Sequence, residues 1–166
     1  MSSLAAWFAG TLGRYISKEA VVFIVSLLPL MECRAGLLVA SLLQVPITTA
    51  IPLSVAGNIL PIPFILLLIK TIFKWMRKVP LFAPLVDKLE QRALNRSSAL
   101  EKGEFLGLLL FVGIPLPGTG GWTGSLLASL LEIDLKKASL AILLGILLAT
   151  LIMSIVSYGL LGAILS

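Results

Sequence analysis

Polar positions are rare along this chain, and they fall between long uncharged runs. Four such runs stand out: Ala20–Met31, Ala35–Ile69, Phe105–Leu131 and Ala138–Ser166. A helix rises 1.5 Å per residue, so about 20 apolar residues cross a hydrocarbon core of roughly 30 Å. Ala20–Met31, with 12 residues, reaches about half-way. Ala35–Ile69, with 35 residues, is too long for one span and short for two. Its polar break, Gln44-Val45-Pro46-Ile47-Thr48-Thr49, divides it into a half-length piece (Ala35–Val45) and a full-length helix over about Ala50–Phe73. Phe105–Leu131 divides at Pro115-Leu116-Pro117-Gly118-Thr119-Gly120-Gly121, which no helix continues through. The flanking pieces, Phe105–Ile114 and Trp122–Ile133, are each half a span, and Ala138–Leu160 is a full one. The order is half, turn, half, full; a charged linker; then half, turn, half, full.

That order is an internal repeat. A shift of 88 positions aligns Ala20–Leu60 with Leu108–Leu148 without a gap, and 12 of the 41 pairs are identical. Five are leucine pairs, which a Leu-rich chain yields cheaply. The others are Phe23/Phe111, Pro29/Pro117, Gly36/Gly124, Ala40/Ala128, Ser41/Ser129, Ala50/Ala138 and Gly57/Gly145. Convergent low complexity is the competing explanation, but prolines and glycines that match at the turns favour duplication. The fold class expected is an all-α integral membrane protein with an inverted-topology repeat. Each repeat is a re-entrant helical hairpin plus one full transmembrane helix. A hairpin returns to the side it entered from and the full helix crosses once, so each repeat makes an odd number of crossings and the second is inverted. The expected layout is one membrane domain: an interfacial N-terminal helix (1–18), repeat 1 (19–73), a basic amphipathic linker (74–103) and repeat 2 (104–160).

Composition narrows the function. Of 166 residues, 58% are hydrophobic and 13% charged, there is no histidine, and Cys33 is the only cysteine. A soluble domain carries about 25% charged residues. Lack of histidine removes histidine triads, imidazole relays and histidine metal sites, and one cysteine makes neither an internal disulfide nor a cysteine zinc site. No metal or cofactor is expected. The net charge of +5 does not point to nucleic acid, because eight of the 13 basic residues lie within Lys70–Lys102. Such a cluster marks a cytoplasmic loop of a multi-pass plasma-membrane protein, or a patch for anionic headgroups. Lys136 and Lys137 then fall on the cytoplasmic side as well; only Arg14 and Lys18 disagree. Within the linker, Val86, Leu89, Ala93 and Leu100 recur at near-helical spacing, which predicts an amphipathic helix of about four turns.

The turns are the places for chemistry. Irregular backbone at membrane depth is tolerated only where protein or a wet cavity surrounds it. Inverted-repeat transporters place their substrate sites at such midplane breaks. The first tip, Pro29-Leu30-Met31-Glu32-Cys33-Arg34, holds the two embedded charges of repeat 1, Glu32 and Arg34. One reading is an ion pair that locks the tip. The other is a site in which Arg34 binds an anionic group while Glu32 exchanges a proton or cation. At the second tip, Gly118, Gly120 and Gly121 allow close backbone approach. The helix start at Trp122 suits an anion, Thr119 and Thr123 add hydroxyls, and Pro117 shapes the turn; a tight turn that lets hairpins pack is the plainer account. Asn58, beside Pro61 and Pro63, either bonds a neighbouring helix or lines the cavity. Ser154, Ser157 and Tyr158 are weaker candidates. With Glu32 as the one buried carboxylate there is too little for paired acid–base work, so an enzyme is not expected.

The segments Leu28-Pro-Leu-Met-Glu-Cys-Arg34, Gly57-Asn-Ile-Leu-Pro-Ile-Pro-Phe64 and Gly107 through Gly124, with its Pro-Leu-Pro-Gly-Thr-Gly-Gly-Trp-Thr-Gly core, resemble the putative small multidrug export protein family of bacteria and archaea. The resemblance covers about Val21 to Tyr158. Where that family follows its Arg with Gly-Ala-Ile-Pro, this chain has Ala35-Gly36-Leu37-Leu38. The layout is also similar to DedA-type membrane proteins. The function expected from the tips, in line with the resemblance, is a transporter of a small amphiphilic or anionic solute by alternating access between the two tips, with proton coupling through Glu32 as one option. A translocase of phosphate-bearing lipid and an ion channel are the alternatives. The partners expected are the bilayer and a small-molecule or lipid substrate. Two spans and two hairpins barely enclose a path, which suggests a homodimer.

Overall fold

The computed structural model describes residues 16–29, 31–80, 83–94 and 103–160. The expected interfacial N-terminal helix lies outside them. Among the described residues the chain is helical, with no strand: α1 (Lys18–Leu27), α2 (Glu32–Leu42), α3 (Ile47–Ile59), α4 (Ile62–Met76), α5 (Ala83–Leu94), α6 (Glu104–Gly113), α7 (Gly121–Leu130) and α8 (Leu135–Ser154), which continues as a π-helix over Ile155–Leu160. Among the described residues two stretches are long and apolar enough to cross a membrane, Ile47–Ile69 and Leu135–Gly159, with mean hydropathies of 2.0 and 2.7. Large apolar side chains stand outward on both long stretches, among them Phe64, Leu67, Leu147, Leu151 and Ile155, each more than 40% exposed. Water penalises such a surface; lipid does not.

Helix boundaries follow local chemistry. The Ser17 hydroxyl caps α1 by accepting from the Ala20 N–H at 3.1 Å. Asp134 caps α8, its Oδ1 accepting from the Lys136 and Lys137 amides, both at 3.1 Å. The single full helix expected over Ala50–Phe73 is instead α3 followed by α4. Pro61 offers no N–H and crowds the preceding turn, so the regular ladder is interrupted at Leu60–Pro61 while the backbone stays right-handed helical. Glu32, Cys33 and Arg34, expected in the first turn, form the first turn of α2 instead. The linker helix starts earlier than its apolar spacing predicts, at Ala83, and its expected end beyond residue 94 lies outside the described residues.

The chain divides into two compact units. The first, Met1–Leu60 with Ile146–Ser166, contains α1, α2, α3 and the end of α8. Here α1, α2 and α3 pack against one another, and α2 also meets the π-helical segment. Val22, Leu37, Ala40, Leu43, Val45, Ala50 and Met153 make the core. Two hydroxyl bonds tie the π segment down: Ser41 Oγ donates to the Ser157 carbonyl at 2.7 Å, and the Tyr158 hydroxyl to the Val45 carbonyl at 2.8 Å. The second unit, Pro61–Gly145, packs α7 against α4, α5 and α6. Val86 of the linker helix is fully buried, so α5 is part of this packing rather than a free surface helix.

The two units repeat one another's local geometry at the 88-residue shift. α2 ends with Gln44 at φ 59° and α7 ends with Glu132 at φ 59°. After each, the same pair of cap bonds closes the helix: Val45 N–H to the Ala40 carbonyl (2.9 Å) and Gln44 N–H to that of Ser41 (3.1 Å), against Ile133 to Ala128 (3.0 Å) and Glu132 to Ser129 (3.4 Å). This is the Schellman closure, built twice on polar residues where glycine is usual. The glycines recur too. A Cβ on Gly57 would lie 2.6 Å from the Phe23 carbonyl of α1, and one on Gly145 would lie 2.9 Å from the Leu109 carbonyl of α6.

Candidate functional site

In the first unit the polar groups gather around the start of α2. Glu32 is 2% exposed and Cys33 1% exposed, at the start of a helix whose later positions are mostly apolar. Glu32 also holds a left-handed backbone, φ 52°, which costs an L-residue about 1–2 kcal/mol. The position 88 residues on is Gly120, at φ 137°. Both tips thus need a positive φ at this point. The second meets it with a glycine, the first with a buried carboxylate. Arg34 is half-buried in the same helical turn.

The Cys33 thiol faces the Thr150 hydroxyl and the Asn58 side-chain amide, with Glu32 and Arg34 beside it. Asn58 is 1% exposed, Ser54 and Ser157 0%, and Thr150 4%. None of the Asn58 amide atoms or the Ser54, Thr150 and Ser157 hydroxyls has a hydrogen-bond partner of ordinary geometry. Buried polar groups in native proteins are nearly always paired, so these four are exceptional, and of them Asn58 and Thr150 stand beside Cys33. Ser26 and Ser154 satisfy their hydroxyls within their own helices, on the Val22 and Thr150 carbonyls. Glu32, Arg34 and Asn58, all expected from sequence, therefore come together. Ser54, Cys33 and Thr150 were not expected. The signal was present in spacing: Ser54 and Asn58 lie four apart on α3, and Thr150, Ser154 and Ser157 share one face of the last helix.

The second tip lies in the second unit. Pro117 is exposed, Gly118 (φ 75°) and Gly120 (φ 137°) take backbones that an L-residue resists, and Gly121 opens α7. Thr119 works inside the turn. Its hydroxyl contacts the Ile114 carbonyl at 3.0 Å and the Leu116 carbonyl at 2.9 Å, and its N–H donates to Leu116. Gly120 caps α7 without a side chain, and Trp122 and Thr123 are half-buried in its first turn. Among the described residues no group of three or more acidic, cysteine or histidine side chains is placed to hold a metal ion.

Two long apolar helical stretches with large apolar side chains turned outward, and a carboxylate buried at a helix start, fit the class of membrane proteins. Comparison with known families agrees: residues 32–152 match the family described as "Putative small multi-drug export protein". The chain belongs to that family. No curated protein and no solved structure matches it.

Proposed function

We propose that the protein is a plasma-membrane transporter that moves a small amphiphilic or anionic solute by alternating access. The observation that carries the reading is Glu32: a buried carboxylate in a left-handed backbone where the matching position is glycine. Strain of this kind persists where a site requires it. Arg34 supplies the positive charge for an anionic group, Asn58 a neutral contact, and Glu32 the exchangeable proton. In the second tip Gly118, Gly120 and Gly121 keep side chains off the backbone, Pro117 and Thr119 hold the turn, and Trp122 and Thr123 line the start of α7. The family description supports export of small molecules. The matching helix closures and glycine contacts support two copies of one hairpin-plus-helix unit. The re-entrant, inverted arrangement and the cytoplasmic linker are part of the proposal, as are a homodimer and the absence of an enzymatic activity.

The glycine-opened second tip favours one further reading, a translocase that holds a lipid phosphate on backbone amides. Proteoliposomes separate the two. Efflux of an anionic dye driven by a proton gradient, without movement of fluorescent phospholipid, supports the solute transporter; phospholipid movement alone supports the translocase. Arg34→Ala lowers anion-dependent flux at least about tenfold, the worth of one charged hydrogen bond, while the protein still inserts. Unchanged flux overturns the site.

A further inference from the structure

We propose that the first unit contains a two-compartment site for an amphiphile. An apolar chain lies in a groove between α3 and α8, and a neutral hydrogen-bonding end group pairs with Thr150 and Asn58. The inference rests on the transporter reading and narrows it to its amphiphilic alternative, with a neutral end group; the binding itself does not require transport.

Two independent observations meet at Thr150. The first is a groove of about 660 Å³ along Ile47, Ile51, Leu147 and Leu151, with Thr150 on its wall. Leu147 and Leu151 are 46% and 60% exposed, so the groove opens on the apolar outside of α8, where a lipid-dissolved molecule enters without passing through water. The second is the unsatisfied cluster behind that wall. The Thr150 hydroxyl is buried with the weakly bonding Cys33 thiol before it and no partner of ordinary geometry, and that thiol in turn faces Asn58. Asn58 offers two N–H donors and a carbonyl acceptor; beyond its approach to the Cys33 thiol, a weak partner, none makes a hydrogen bond of ordinary geometry. Nothing about packing asks for an amide there; leucine is close in size and carries no unmet bonds. An amide left unpaired in a dry interior is a cost that an occupant removes.

The end group follows from the charges. Glu32 and Arg34 flank Cys33 with opposite formal charges, which offset one another toward an occupant while both are ionised. The groups that lack partners are neutral and both donate and accept. A primary amide or a hydroxyl matches them; a bare ion does not. The groove in turn excludes a fully polar solute.

The test uses the full chain in lipid nanodiscs and decanamide as probe, with decane and acetamide as controls for each half. Binding is read from the melting temperature and from alkylation of Cys33, the single thiol. Decanamide raises the melting temperature by several degrees, saturably, and slows alkylation; decane and acetamide do neither at the same concentration. Asn58→Leu melts higher than the parent without probe and needs at least tenfold more decanamide for the same shift. Thr150→Val weakens the response in the same direction, and decides the matter if Asn58→Leu fails to fold. If Cys33 is unreactive throughout, melting alone decides. Equal response to decane means an acyl-chain groove only and overturns the proposal, as does an Asn58→Leu protein that melts lower and responds as before. If decanamide binding behaves as stated while no solute moves in proteoliposomes, the transporter reading fails and the site stands; the reverse result sinks the site alone.

Discussion

Among the described residues, three that are not glycine hold a left-handed backbone: Glu32, Gln44 and Glu132. Gln44 and Glu132 are exposed and close helices, a place where glycine is normally preferred because it has no Cβ to clash. Gln44→Gly and Glu132→Gly should each stabilise the protein by about 0.5–1 kcal/mol, since relief of the clash outweighs the added chain entropy. Thermal melts in one detergent or one nanodisc check this; a fall in melting temperature for either variant contradicts the cap assignment. Glu32 differs because it is buried. There the same backbone brings a carboxylate into the interior, and the site proposed above gives that carboxylate a use that glycine would not serve.

At the level of helices, close approach is set by small residues. Gly57 and Gly145 face the backbone of α1 and α6 so tightly that an added methyl would overlap carbonyl oxygens. Gly57→Ala and Gly145→Ala should each cost about 1–3 kcal/mol, as overpacking does. Gly159→Ala is the control: its Cβ would meet only the Ile155 side chain at 3.9 Å. It should be neutral, or stabilising by up to about 1 kcal/mol through helix propensity. Equal losses at all three positions would mean that the helices fail for a reason other than packing. The ion pair between Arg77 and Asp87, 3.2 Å long and half-exposed on both sides, contributes little by comparison. α5 is instead held by burial of Val86.

For the whole molecule, the proposed inversion makes a claim about sides. In a Cys33→Ser background, single cysteines at Lys88 and Lys137 should react with a membrane-impermeant maleimide only from the cytoplasm. One at Gln44 should react only from outside. Labelling of Gln44→Cys and Lys137→Cys from the same side would mean that the two repeats are parallel, despite their matching local geometry. The physical basis is the charge distribution: eight of 13 basic residues fall within Lys70–Lys102, and basic loops remain cytoplasmic.

Much of this was legible in the order of residues. Apolar run lengths marked the helices, prolines and glycines marked the turns, and the 88-residue shift linked Gly57 with Gly145 and Ser41 with Ser129. These features are local, because run length, turn chemistry and residue matches at a fixed shift are written along the chain. The family resemblance was legible for the same reason, in short motifs around Arg34 and Gly118. Other features depended on which helices meet. Linear order did not show that Thr150, more than 90 positions after Asn58, shares Cys33 with it. Nor did it show that Ser54 is buried without a partner while Ser26 bonds its own helix. A hydroxyl's cost or use depends on what packs against it, and that is decided by tertiary contact. The left-handed backbone at Glu32 is of the same kind. Its matching position, Gly120, was visible in the sequence, but the strain at Glu32 appears only once α2 is folded.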